Sequence, residues 1–115
     1  MRAKILTGLS AGLFAALLSL NPLIAAEDHK AEAIKHAEAA VANAKSGDTA
    51  AAGEHAEAAK MHAEAAEKEK ANPHLEAAIK SLESAIAHSK MGQAEMVSES
   101  AHAAMTHLEA AKKAF

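Results

Sequence analysis

The sequence predicts an all-α fold, an antiparallel up-down-up-down four-helix bundle built from a duplicated helical hairpin. Three observations predict it. First, four stretches are dominated by Ala, Glu and Lys, which are strong helix formers, and β-branched residues are few. Second, three short turn signals separate the stretches: Ser46-Gly47-Asp48, Ala71-Asn72-Pro73 and Met91-Gly92-Gln93. Third, an ungapped offset of 45 residues superposes His29 on His74, Ile34-Lys35 on Ile79-Lys80, Gly47 on Gly92 and His62 on His107. Glu38, Lys45, Glu54 and Glu64 fall on Glu83, Lys90, Glu99 and Glu109 at the same offset. A repeat of that length is one helical hairpin, used twice.

The chain opens with a segment that does not belong to this fold. Met1-Arg2-Ala3-Lys4 is a short basic region, Ile5 to Leu20 is uncharged and apolar, and Asn21-Pro22 then leads to small residues ending at Ala26. This is the pattern of a secretory signal peptide at residues 1–26, and it predicts export to the periplasm. The apolar run is shorter than the ~20 residues of a spanning helix, so no stable membrane insertion is expected after cleavage. No Cys is present to take a lipid anchor. Residues 27–115 form the predicted domain, with 10 Lys against 15 Asp and Glu. That acidic balance argues against a nucleic-acid or anionic-lipid partner.

Helices are expected at about 28–45, 49–70, 73–90 and 94–113. Asp48 is placed to N-cap the second, and Asn72-Pro73 is an N-cap and N1 pair for the third. Gly47 and Gly92 stand where a left-handed residue ends a helix. Short turns make successive helices antiparallel neighbours. A heptad pattern assigns Leu75, Ile79, Leu82 and Ile86 to the core of the third helix, and Ile34, Ala37, Val41 and Ala44 to that of the first. The fourth offers Val97, Ala101, Ala104, Leu108, Ala111 and Phe115, and the second almost only Ala, at 52, 56, 59, 63 and 66. Alanine buries little area, so the first hairpin is expected to be thinly packed and open to stabilisation by a ligand or by self-association.

Composition excludes several chemistries. With no Cys, there is no disulfide framework, thiolate zinc site, thiol nucleophile, iron–sulfur cluster or covalent haem. With no Trp or Tyr and two Phe, no base-stacking surface exists. What stands out is eight His.

Those His are patterned. The phrase His-[Ala/Leu]-Glu-Ala-Ala begins at His36, His55, His62, His74 and His107, whereas His29, His88 and His102 lie outside it. His29/His36 and His55/His62 are seven apart, about 10.5 Å along a helix axis. One ion cannot bridge that gap with bonds of about 2 Å, so such a pair marks two sites, or gives one ligand to each of two sites. The heptad suggests sharing across a hairpin, and pairing on the e flank would instead leave separate exposed His. With Ile34 and Ile79 at heptad position a, His29, His36, His74 and His88 are all c. In the second and fourth helices His55, His62 and His107 are g, on the same flank of the wheel. If each hairpin pairs on that flank, the first groove carries His55, His36, His62 and His29 in zigzag order. The second groove then brings His74 near His107 and His88 near Met96. Within single helices, His29/Glu32, Glu32/His36, Glu99/His102 and His102/Met105 have chelating spacing.

Imidazole with carboxylate suits Cu(II), Ni(II) and Zn(II), and copper ranks first on affinity. The candidate ligands are therefore all eight His, with Glu32, Glu99, Met96 and Met105 as auxiliaries. The two Met read more readily as core or groove filling than as ligands, and the other Glu and Lys as helix support on a solvated face. Several shallow sites suit sequestration, buffering or delivery rather than catalysis, so no enzymatic activity is expected.

Taken together, His36-Ala37-Glu38-Ala39-Ala40 and His55-Ala56-Glu57-Ala58-Ala59-Lys60-Met61-His62, in an exported, Cys-free, Ala/Glu/Lys-rich chain, resemble the small metal-binding protein family. The resemblance implies a periplasmic helical bundle that binds copper and other divalent metals through His. It passes the ligand role most directly to His36, His55, His62, His74 and His107. Ser81 and Ser100 occupy steps where another His is expected. Two other readings stand beside this one. A structural or stress-related bundle would use its His as a pH sensor. A haem b bundle, with haem held between a His and a Met, ranks last because the His lie on flanks rather than on the apolar seam.

Overall fold

The computed structural model describes residues 28–114, so the expected signal peptide and the seam position Phe115 lie outside the described residues. Four helices follow one another: α1 (His29–Lys45), α2 (Thr49–Glu69), α3 (Pro73–Lys90) and α4 (Ala94–Ala114). Each packs on two neighbours, α1 on α2 and α4, α3 on α2 and α4, which closes a square bundle. α2 and α4 also touch across its diagonal.

Local chemistry sets the ends. Asp28 stands outside α1 as its N-cap, its carboxylate accepting from the backbone N–H of Lys30 and Ala31 at 3.0 and 3.2 Å. Asp48 caps α2 through Ala51 N–H at 3.0 Å. Asn72 caps α3 through His74 N–H at 2.8 Å, with Pro73 in the first turn. Such caps satisfy donors that the helix cannot pair internally. Lys70 leaves α2 in an extended conformation, so α2 ends one residue before the expected boundary.

The two hairpin turns close in the same way. Gly47 and Gly92 have φ of 87° and 70°, a region that a Cβ disfavours. Gly47 N–H donates to the Ala44 carbonyl and Asp48 N–H to that of Asn43. In the second turn Gly92 N–H donates to Ser89 and Gln93 N–H to His88. Both are Schellman motifs, which satisfy the last carbonyls and turn the chain back at once.

The core is alanine wherever the first hairpin contributes. Ala33, Ala37, Ala40 and Ala44 are its buried residues from α1, and Ala52, Gly53, Ala56, Ala59, Ala63 and Ala66 those from α2. The largest fully buried side chains, Leu75, Leu82, Val97 and Leu108, all belong to α3 and α4. One expectation is corrected. Ile34, Val41, Ile79 and Ile86 are not central but half-buried against the core, and Ala33, Ala40, Ala78 and Ala85 take the central places. α1 and α3 are thus rotated so that heptad positions d and g face inward. The a residues lie on one flank of this seam and the c residues on the other.

Small residues also set the distance between the hairpins. A Cβ on Gly53 of α2 would lie 2.9 Å from Ser89 Cβ of α3, and closer still to the Ser89 hydroxyl. Gly53→Ala should therefore lower stability. Overpacking of about 1–3 kcal/mol outweighs the gain of about 1 kcal/mol from helix propensity. In a double-mutant cycle with Ser89→Gly, measured by urea unfolding, the two changes should couple favourably, and zero coupling would refute the contact. A surface ion pair, Lys60 Nζ to Glu83 Oε2 at 3.3 Å, joins the same two helices and adds at most about 1 kcal/mol. No helix among the described residues is long and apolar enough to cross a membrane.

Candidate metal centre

The rotation of α1 turns its c flank towards α2. His29 and His36 on α1 then meet His55 and His62 on α2, whose heptad places them beside the Ala seam. Small side chains at a helix contact allow axes to approach to the short end of the 8–10 Å range. The alanines between α1 and α2 let side chains on the flanks touch.

The four rings form one ladder in the order His55, His36, His62, His29. His36 and His55 bring their Nδ1 atoms to 3.3 Å, with ring centroids 5.6 Å apart and planes inclined by 29°. His29 and His62 bring theirs to 3.1 Å, with centroids 5.4 Å apart and planes at 33°. Between the pairs, His36 and His62 stack at 5.6 Å and are nearly parallel, at 10°. In each Nδ1 contact one ring donates its proton and the other offers a lone pair. All four rings are half-buried, reachable from solvent yet held by their neighbours.

A carboxylate joins the ladder. Glu32, one turn from both His29 and His36, converges with His36 and His62, with one ligand atom from each lying within 4.8 Å of the others. The Glu32 carboxylate also meets Lys35 Nζ at 3.4 Å, a pair whose Lys is 71% exposed and holds it weakly. Imidazole nitrogen with carboxylate oxygen is a donor set for Cu(II), Zn(II) or Ni(II). The residues present therefore fit a divalent transition metal.

The other predicted residues are not brought together in this way. Among the described residues the ring contacts are confined to the first hairpin. His74 is exposed at the start of α3, and His107 is half-buried on α4. His88 does not turn to Met96: its Nδ1–H donates to Gln93 Oε1 at 2.7 Å across the turn. Met96 is 44% exposed, whereas Met105 packs on the core. His102 and Glu99 are exposed on α4 and do not join the converging group. Ser81 and Ser100 occupy the positions equivalent to His36 and His55, so the second groove lacks that whole pair, one end rung and the middle rung beside it.

Two residues escaped the sequence reading. Glu69 Oε2 lies 3.9 Å from His29 Nε2, at the open end of the ladder. Its signal was present, because Glu69 follows His62 by seven residues on the same heptad column. Gln93 likewise continues that column just before α4, seven residues before Ser100.

No single curated sequence matches the chain. The sequence model of one family, described as small metal-binding protein, matches residues 3–111, almost the whole length. With a His ladder and a carboxylate assembled between two of its helices, the chain belongs to the small metal-binding protein family.

Proposed function

We propose that this protein is exported to the periplasm and there binds several divalent metal ions, copper first, to buffer or hand on the metal. The single observation that supports this best is the four-ring ladder between α1 and α2, with Glu32 converging on its middle. Imidazoles at this density give copper its highest affinity among the divalent ions, and Zn(II) and Ni(II) compete for the same donors. The half-burial of the rings suits exchange: an ion reaches them from solvent and leaves without unfolding the bundle. The remaining His on α3 and α4 are single donors that add weaker, outer sites. The reading assigns the protein no catalytic step.

Native mass spectrometry of the purified chain with Cu(II), Zn(II) and Ni(II) tests it. Several bound Cu(II) ions, retained when Zn(II) competes, are expected, together with a visible copper absorption band. Absence of any adduct at stoichiometric Cu(II) overturns the reading. Export has its own check. Material recovered from a periplasmic fraction should have the mass of residues 27–115, and a full-length mass in the cytoplasm overturns that part.

A further inference from the structure

We propose that the ladder is not one centre but two, each ion held between a pair of Nδ1 atoms, His29 with His62 and His36 with His55. The proposal rests on the metal-binding reading above and says how that site is divided.

The distances carry the argument. Two imidazole nitrogens bound to one ion at about 2.0–2.1 Å, at angles between square and tetrahedral, lie about 2.8–3.4 Å apart. The two Nδ1 pairs stand at 3.1 and 3.3 Å, inside that window before any ion arrives. In each pair the shared proton occupies the place an ion would take, and when an ion displaces it both neutral rings carry their N–H on Nε2. His36 and His62 are the alternative pair, the one that Glu32 approaches. Their rings lie stacked and nearly parallel at 10°, with centroids 5.6 Å apart, a face-to-face arrangement in which the in-plane nitrogen lone pairs do not aim at one ion. A single ion there would require the rings to turn and both existing pairs to break.

The far side of the rings fits the same assignment. Coordination through Nδ1 leaves the Nε2–H of His29 directed at the Glu69 carboxylate, 3.9 Å away. A carboxylate behind a ligating His fixes its tautomer and orientation. Glu69 is then a positioning residue, and Glu32 is left as a carboxylate between the two ions. Equivalent atoms of the two pairs are one heptad apart, so the ions would sit about 10 Å from each other.

Paired substitutions separate the two arrangements, because they divide the four rings differently. His→Gln keeps helix propensity and a polar surface, and circular dichroism checks that each variant retains its helix content. Bound Cu(II) is counted by native mass spectrometry relative to the unsubstituted chain, so that the outer His contribute equally throughout. H29Q/H62Q should lose one ion, H36Q/H55Q one ion, and H29Q/H55Q both. Pulsed dipolar EPR of the loaded, unsubstituted chain should show two Cu(II) about 10 Å apart. If H29Q/H55Q keeps a tight ion that H36Q/H62Q loses, the ion lies in the middle and the pairing is wrong, although the protein still binds metal. If the unsubstituted chain takes up no Cu(II), the metal reading itself fails and this proposal fails with it.

Discussion

Replacing His36 and His62 together by Gln should abolish the rise in melting temperature that Cu(II) produces, while leaving the metal-free protein close to its original stability. These are the two middle rungs of the ladder, and each touches two other rings or a ring and a carboxylate. An ion bound only by the folded state stabilises it by about 2.7 kcal/mol at a hundredfold excess over Kd. For a domain of this size that is a rise of about 10–20 °C for one ion. The hairpin that gains it is the one whose buried residues are alanine and a single glycine. Calorimetry or a thermal melt with and without Cu(II) decides the matter. If the metal-free protein loses as much stability as the copper shift it forfeits, the rings hold α1 to α2 by their own packing, and the coupling to metal is secondary.

Leu82→Ala should produce the largest loss of fold stability of any substitution away from the His. Leu82 is fully buried in α3, one of only three leucines so placed among the described residues. Truncating such a side chain costs about 2–5 kcal/mol through lost transfer energy and the cavity left behind. The whole bundle has about 4–13 kcal/mol to lose at a typical 0.05–0.15 kcal/mol per residue, so this single change removes a large share of it. Met61→Ala is the matched control, since Met61 is 63% exposed and its loss should stay within about 0.5 kcal/mol. Ala59→Gly in the first hairpin should cost about 2 kcal/mol, about 1 from helix propensity and about 0.8 from the buried methyl it removes. Chemical unfolding of the three variants compares the hairpins directly. A Leu82→Ala cost no larger than that of Ala59→Gly would show that the second hairpin does not anchor the fold.

The unequal cores of the two hairpins explain both results. Leu75, Leu82, Val97 and Leu108 give α3 and α4 their apolar burial. α1 and α2 trade that burial for close approach, and the close approach brings four rings into contact. The Schellman turn at Gly47 then fixes the axial register of α1 against α2, which decides whether rings seven residues apart on one helix interleave with those on the other.

Much of this was legible from residue order. The helices, their caps at Asp48 and Asn72, and the left-handed Gly47 and Gly92 follow from rules that act within a few residues. The zigzag order of His55, His36, His62 and His29 was also accessible, because the heptad columns and a short turn leave only two ways for the hairpin to pair. The rotation of α1 and α3 was not. Isoleucine and valine attract attention as core residues, yet Ala33 and Ala40 take the centre and Ile34 and Val41 the flank. Four helices share one core, and each turns to the angle that satisfies both neighbours, a condition no single helix states.

What the sequence by itself determined, then, is the set of elements, the weakness of the first hairpin, and the columns on which the His stand. These depend on propensity, turn chemistry and periodicity, which are local. Only the tertiary structure decided that the c flank of α1 faces α2 and that two Nδ1 pairs form at 3.1 and 3.3 Å. It also decided that Glu32 and Glu69 join them, and that His88 bonds Gln93 instead of turning to a metal partner. The reason is physical: ligand geometry depends on angstrom distances between side chains on different helices. Those distances are set by how closely the alanine seams pack and by the turn that fixes their register.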